Sequence, residues 1–225
     1  NRGNTALDFF HDQEKDLSDP ISHVQPRVQL NPEASVQKVS EEHKLDLIRA
    51  RESDVLEKKA TFLVNLHTSN VDDEIILSAV KTVAAFLNTE GGRKGGTLLI
   101  GVGDNCEITG IDQDIRLIPK ANNAEILGQK LDAVEQRFRE IFKNWVSGID
   151  KLDVKIDFWP IQEDEEKIIC AIEVPPSLKR RESFVNPPKT AKLDKHKDRL
   201  FFVRNGNSTV LLADKDLDDY RDRYF

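Results

Sequence analysis

Leu127, Leu131, Val134, Phe138, Ile141 and Trp145 repeat at steps of four, three, four, three and four. That spacing puts all six on one face of a long helix, and such a face must be covered by a sheet or another helix. Aromatic residues at this spacing are core material, so the stripe is assigned no chemistry. Gly148 is a suitable stop. A second helix is read from Ile76, Val80, Val83 and Leu87, with Asp72 or Asp73 placed to accept its open N-terminal amides and Gly91-Gly92 to end it.

Strands are expected in the remainder. Val55 to Leu66 reads as extended, Thr97 to Val102 is a short apolar run between glycines, and Leu152, Val154, Ile156 and Phe158 alternate with charged residues. Ile168 to Val174 and Leu200 to Arg204 follow, and Gln162-Glu-Asp-Glu-Glu166 reads as the polar turn of an antiparallel hairpin. Leu45 and Ile48 mark a modest amphipathic helix from Val39 to about Arg51, and a short helix closes the chain. The order predicts an α/β or α+β domain of two layers, two main helices packed on a small mixed sheet.

With 225 residues, 38% of them hydrophobic, the chain can build one ordinary core and an attached extension. Residues 1–40 are polar and carry Pro20, Pro26 and Pro32, which reads as a linker or strap, leaving 41–225 as the domain. A net charge of −7 excludes a surface that is basic all over. Two cysteines, Cys106 and Cys170, are too few for a disulfide framework and too far apart for a finger-type metal site. A reducing, cytoplasmic setting is expected. No apolar run is long enough to span a membrane. The absence of any methionine, initiator included, leads to the expectation of a further domain upstream.

Chemistry concentrates around Glu52-Ser-Asp-Val-Leu-Glu57-Lys-Lys59. Glu52 and Glu57 are five apart, so they converge only if a helix gives way to a strand between them. Glu57 and Lys59 share a face of any strand. Carboxylates with a neighbouring lysine suit phosphodiester chemistry, the carboxylates holding Mg²⁺ or Mn²⁺ and the lysine steadying charge on phosphorus. Asp104, just past the strand Thr97 to Val102, is the candidate third acid. The alternative is surface decoration, since an exposed Glu–Lys pair contributes at most about 1 kcal/mol.

Two further features point to anions. Gly91, Gly92, Gly95 and Gly96 tolerate positive φ and could present backbone amides to a phosphate; the other reading is a helix cap and connection. From Lys179 to Arg204, nine basic residues (Lys179, Arg180, Arg181, Lys189, Lys192, Lys195, Lys197, Arg199 and Arg204) face three acidic ones, a net +6 that leaves −13 elsewhere. Segregation of that kind suits a phosphate-facing segment, and Phe184 within it can stack on a base. A solvated connection between two strands is the plain alternative.

These motifs, taken in order, have a resemblance. Glu52-Ser-x-x-x-Glu57-x-Lys59, the helix end Ala85-Phe-Leu-Asn-Thr-Glu-Gly-Gly92, Leu98-Leu-Ile-Gly-Val-Gly-Asp104, Glu107-Ile-Thr-Gly-Ile111 and Phe202-Val-Arg-Asn-Gly-Asn-Ser-Thr209 resemble the divergent Alba-like domain of Schlafen proteins and their bacterial relatives over roughly residues 45–212. The resemblance implies a mixed α/β fold. It also implies a metal-dependent endoribonuclease acting on tRNA or other structured RNA, with Glu52, Glu57 and Asp104 around Mg²⁺ or Mn²⁺ and Lys59 at the phosphate. The family places its third acid directly after Gly-Val, where this chain has Gly103 and carries Asp104 one position later. The zinc ligands of animal Schlafens are absent, so no structural zinc is expected. The other role implied is a non-catalytic nucleic-acid or nucleotide-binding module of a larger regulatory or defence protein, and Alba-like pairing makes a homodimer an expectation.

Overall fold

The computed structural model describes residues 40–149, 154–161, 167–177, 181–188 and 199–225. The chain divides into units 1–38 and 39–225, and the described residues lie in the second. The linker or strap expected at 1–40 therefore falls, but for Ser40, outside the described residues, as does the hairpin turn at 162–166.

A four-stranded mixed sheet organises the unit. Its order is β1 (Leu56–Lys59), β4 (Gly96–Ile100), β7 (Ile168–Val174) and β6 (Lys155–Pro160). β1 and β4 run parallel, with Glu57 beside Leu98 and Lys59 beside Ile100, while β4–β7 and β7–β6 are antiparallel. Parallel neighbours need a crossover. Here it contains the minor hairpin β2 (Val64–Asn65) and β3 (Asn70–Val71), then α2 (Asp73–Asn88). Asp72 caps α2 by accepting the Glu74 N–H at 2.9 Å, and a 3₁₀ turn at Thr89–Gly92 ends it.

The two main helices stand as expected. α5 (Leu127–Trp145) follows the short α3 (Asp112–Leu117) and α4 (Pro119–Asn122). It shares one core cluster with α2 and the sheet: Val134, Phe138 and Ile141 from α5, Ile76, Val80 and Val83 from α2, Leu98, Ile100 and Ile172 from the strands. Phe62 stacks on Phe138 at 4.0 Å between centroids. The stripe frays at its start, where Leu127 is 49% exposed. On the other face of the sheet, Leu99, Ile169, Ala171 and Trp159 join Leu56 and Ile48. That face is covered by α1 (Glu41–Arg49), capped by the Ser40 hydroxyl accepting the His43 N–H.

One expectation needs correction, and one strand stands apart from the main sheet. Val55 to Leu66 is not one extended run: between β1 and β2 the chain turns, and the buried Asp114 carboxylate accepts the N–H groups of Phe62 and Leu63 at 3.1 and 2.7 Å. The strand at Leu200 to Arg204 does not join the main sheet. As β9 (Phe201–Asn205) it pairs antiparallel with β10 (Ser208–Leu212) through the two-residue turn Gly206–Asn207, with Gly206 at φ 60°. β9 lies on α2, and α6 (Asp214–Tyr224) follows β10. A further short pair, β5 (Val146–Ser147) with β8 (Phe184–Val185), joins the end of α5 to the segment before β9. Among the described residues no helix is long and apolar enough to cross a membrane.

Candidate functional site

Glu57 and Lys59 lie on the same face of β1, as alternation requires. Glu57 is only 7% exposed, and a carboxylate so buried needs a counter-charge. It has two. Lys59 Nζ meets Oε1, and Arg204 Nη1 lies 2.8 Å from Oε2. The second approach is a charge contact whose angles fall short of a hydrogen bond.

Arg204 is held from several directions. Its Nη2 donates to the Ser53 carbonyl at 2.6 Å, its Nη1 to Thr209 Oγ1 at 2.9 Å, and its guanidinium sits 5.5 Å from the centroid of the Phe86 ring. The side chain is fully buried. Its backbone N–H donates to Thr89 Oγ1, which in turn donates to the Ala85 carbonyl. Asn88, also fully buried, donates to the Ser183 and Phe202 carbonyls and accepts the Ser183 N–H. The Asn88-Thr89 pair therefore staples the end of α2 to β9 and to the segment before β8.

Glu52 does different work. Its Oε1 accepts the Lys58 N–H at 2.9 Å, while Ser53 N–H donates to the Leu56 carbonyl. β1 is an edge strand, and these two bonds satisfy two of the outward-facing backbone groups that such an edge leaves open. Lys58 points to the opposite face, 2% exposed, and donates to the carbonyls of Ile48 and Ala50 at the end of α1 and to Cys106 Sγ. Carbonyls at a helix C-terminus are a favourable place for an ammonium.

The glycine turn is closely packed. Glu90 has φ 51° and donates its N–H to the Tyr220 hydroxyl at 2.7 Å. Gly91, at φ 68°, leaves no room for a side chain because the Tyr224 carbonyl would lie 2.6 Å from a Cβ there. Gly92 and Gly95 also have positive φ, Gly95 lying against the Val174 backbone and Gly96 under the Phe86 ring. Lys94 bridges Asp54 at 2.7 Å and Glu90 at 2.9 Å. That ammonium hydrogen bond holds the Asp54 carboxyl below its usual range.

The full run of motifs lies on this scaffold, and the chain matches the family described as Schlafen, AlbA_2 over residues 52–213. The chain belongs to the Schlafen AlbA_2 family. Membership makes it a nucleic-acid-related domain. The crystal structure of the DIP2311 protein from Corynebacterium diphtheriae is similar over 75% of this chain, at 14% identity and a TM-score of 0.43. The match covers 25% of that protein's chain, so this chain spans about a quarter of its length. No curated protein matches. α1 and α6 both lie outside the matched range.

Glu57 and Lys59 are brought together; the acidic trio is not. Among the described residues no three His, Cys, Asp or Glu side chains gather as metal ligands. Asp104 is exposed in the turn where Gly103 N–H donates to the Glu107 carbonyl and Cys106 N–H to that of Gly103. The Glu57 carboxylate has two cationic partners, and Glu52 is engaged at the strand edge. That donor set does not fit a hard divalent cation, which takes oxygen ligands with negative charge to spare.

Of the nine basic residues, Lys179, Arg180, Lys189, Lys192, Lys195 and Lys197 lie outside the described residues. Arg181 and Arg199 are exposed, whereas Arg204 is the internal partner of Glu57 and not a surface cation. Lys58, Asn88 and Asp114 are further buried polar residues that hold the site's scaffold. Asn88 had a signal in the motif, and the other two had none beyond a charged residue inside an apolar stretch.

Proposed function

We propose that this domain binds RNA without cutting it, as the recognition part of a larger regulatory or defence protein. The observation that carries the reading is the Glu57 carboxylate, held between Lys59 and Arg204. In phosphodiester hydrolysis of the kind the motifs imply, that carboxylate would hold a cation; here its charge is already answered from inside the fold. A carboxylate with two cationic partners has little charge to spare for Mg²⁺ or Mn²⁺. The basic stretch from Lys179 to Arg199 supplies counterion-releasing contacts to a nucleic-acid backbone.

Incubation with tRNA in Mn²⁺ or Mg²⁺, read on native and denaturing gels, separates the two roles. Binding should retard the RNA and leave it intact, and Lys192→Glu should weaken the retardation. Metal-dependent cleavage by the wild type that disappears in Glu57→Ala would instead establish the endoribonuclease, with Glu52, Glu57 and Asp104 as its acids and Lys59 at the phosphate.

A further inference from the structure

We propose that Arg199, lying on Phe184, is a seat for an unpaired nucleobase, so that the domain takes single-stranded rather than duplex nucleic acid. The inference rests on the nucleic-acid reading and adds where and in what form the strand is held. The Arg199 guanidinium carbon lies over the Phe184 ring, 4.2 Å from its centroid. Phe184 is half-buried and meets Phe201 edge-on at 5.4 Å. Arg199 is exposed, its nearest polar contact a long one of 3.4 Å to Ser147 Oγ, and among the described residues it has no acidic partner. Arg221, 5.7 Å from the same ring, is different: Glu182 neutralises it through two contacts of 2.8 Å. One arginine is tied down, and among the described residues nothing neutralises the other.

The pair is also held in place. Val185 and Leu200, the residues next to Phe184 and Arg199, exchange backbone hydrogen bonds of 2.8 and 2.9 Å. A seat fixed before the ligand arrives loses little ordering entropy on binding. A flat guanidinium backed by an aromatic ring offers its open side to a nucleobase and its N–H groups to the adjacent phosphate. Bases inside a duplex are stacked on one another and cannot enter such a seat; bases of a single strand can. The ring cluster continues toward the C-terminal helix. Phe201 meets Tyr220 at 6.0 Å, Tyr220 meets Tyr224 at 4.6 Å, and exposed Arg223 lies 6.0 Å from the Tyr224 centroid.

Fluorescence anisotropy with a labelled ten-nucleotide oligouridylate and with a duplex RNA of the same length tests this. The variants are Arg199→Lys, which keeps the charge and removes the plane, and Phe184→Leu, which removes the ring; melting curves confirm that each folds. Both should weaken single-strand binding by about tenfold, the size of one lost stacking contact, and leave duplex binding unchanged. Single-strand binding by Arg199→Lys equal to wild type would overturn the seat, as would equal wild-type affinity for duplex and single strand. Failure of the wild type to bind either RNA would overturn the nucleic-acid reading itself.

Discussion

Arg199 and Arg204 are five residues apart, and each places its guanidinium against a phenylalanine: Phe184 for the first, Phe86 for the second. There the likeness stops. Arg204 is enclosed, pairs with Glu57, and donates to Ser53 and Thr209, so its charge is consumed inside the fold. Arg199 is exposed and has no acidic partner among the described residues. The difference teaches that a basic stretch in a sequence is not one surface. Burial and a carboxylate within 2.8 Å turn one arginine into a strut, and their absence leaves the other for a ligand.

The comparison breaks most sharply at the buried end. Arg204→Met leaves Glu57 buried with only the half-exposed Lys59 beside it, and removal of one member of a buried ion pair costs about 3–5 kcal/mol. Urea denaturation should show a loss of that order, and the double variant Glu57→Leu with Arg204→Met should recover most of it. An Arg204→Met protein as stable as wild type would place Arg204 with Arg199.

Asp114 extends the buried side to a carboxylate with no cation beside it among the described residues. Burial raises its carboxyl to about 6, although backbone N–H bonds from Leu63, Phe62 and Val64 pull the other way. A raised pKa means that the folded state holds the proton more tightly than the unfolded chain. Its stabilising contribution is therefore full below about pH 4 and lost as pH rises through 6. Wild-type stability should fall relative to Asp114→Asn by about 3 kcal/mol between pH 4 and 7, measured as the difference between two urea series.

Glu52 lies between the extremes, half-buried and bonded to one backbone amide. Glu52→Ala should lose about 1–2 kcal/mol by leaving the edge amide of β1 unpaired, with Glu52→Gln close to wild type. Arg199→Lys is the smallest in stability, within about 0.5 kcal/mol, yet is the variant expected to change RNA binding.

The helices were legible because their apolar periods are long, and the alternation of Leu98, Leu99 and Ile100 between two clusters follows from strand geometry. The hairpin of β9 and β10 was legible in principle from Gly206-Asn207 between apolar runs. The site was legible in its residues but not in their directions. Nothing near Glu52 says that its carboxylate turns back to the Lys58 amide, and nothing near Glu57 names a partner that arrives from β9. Charge alone reads as surface, so the sequence places Arg204 with the RNA-facing cations. Burial is set by the packing of distant segments, and for that the sequence offers no local sign.

We propose that Glu57 is an internal counter-ion and not a metal ligand. Melting wild type and Glu57→Gln with and without millimolar Mn²⁺ tests it directly, since a ligand that binds the folded state raises its stability by mass action. Mn²⁺ should leave both melting temperatures unchanged, and Glu57→Gln should melt lower in either condition. A rise with Mn²⁺ in the wild type that vanishes in Glu57→Gln would contradict it.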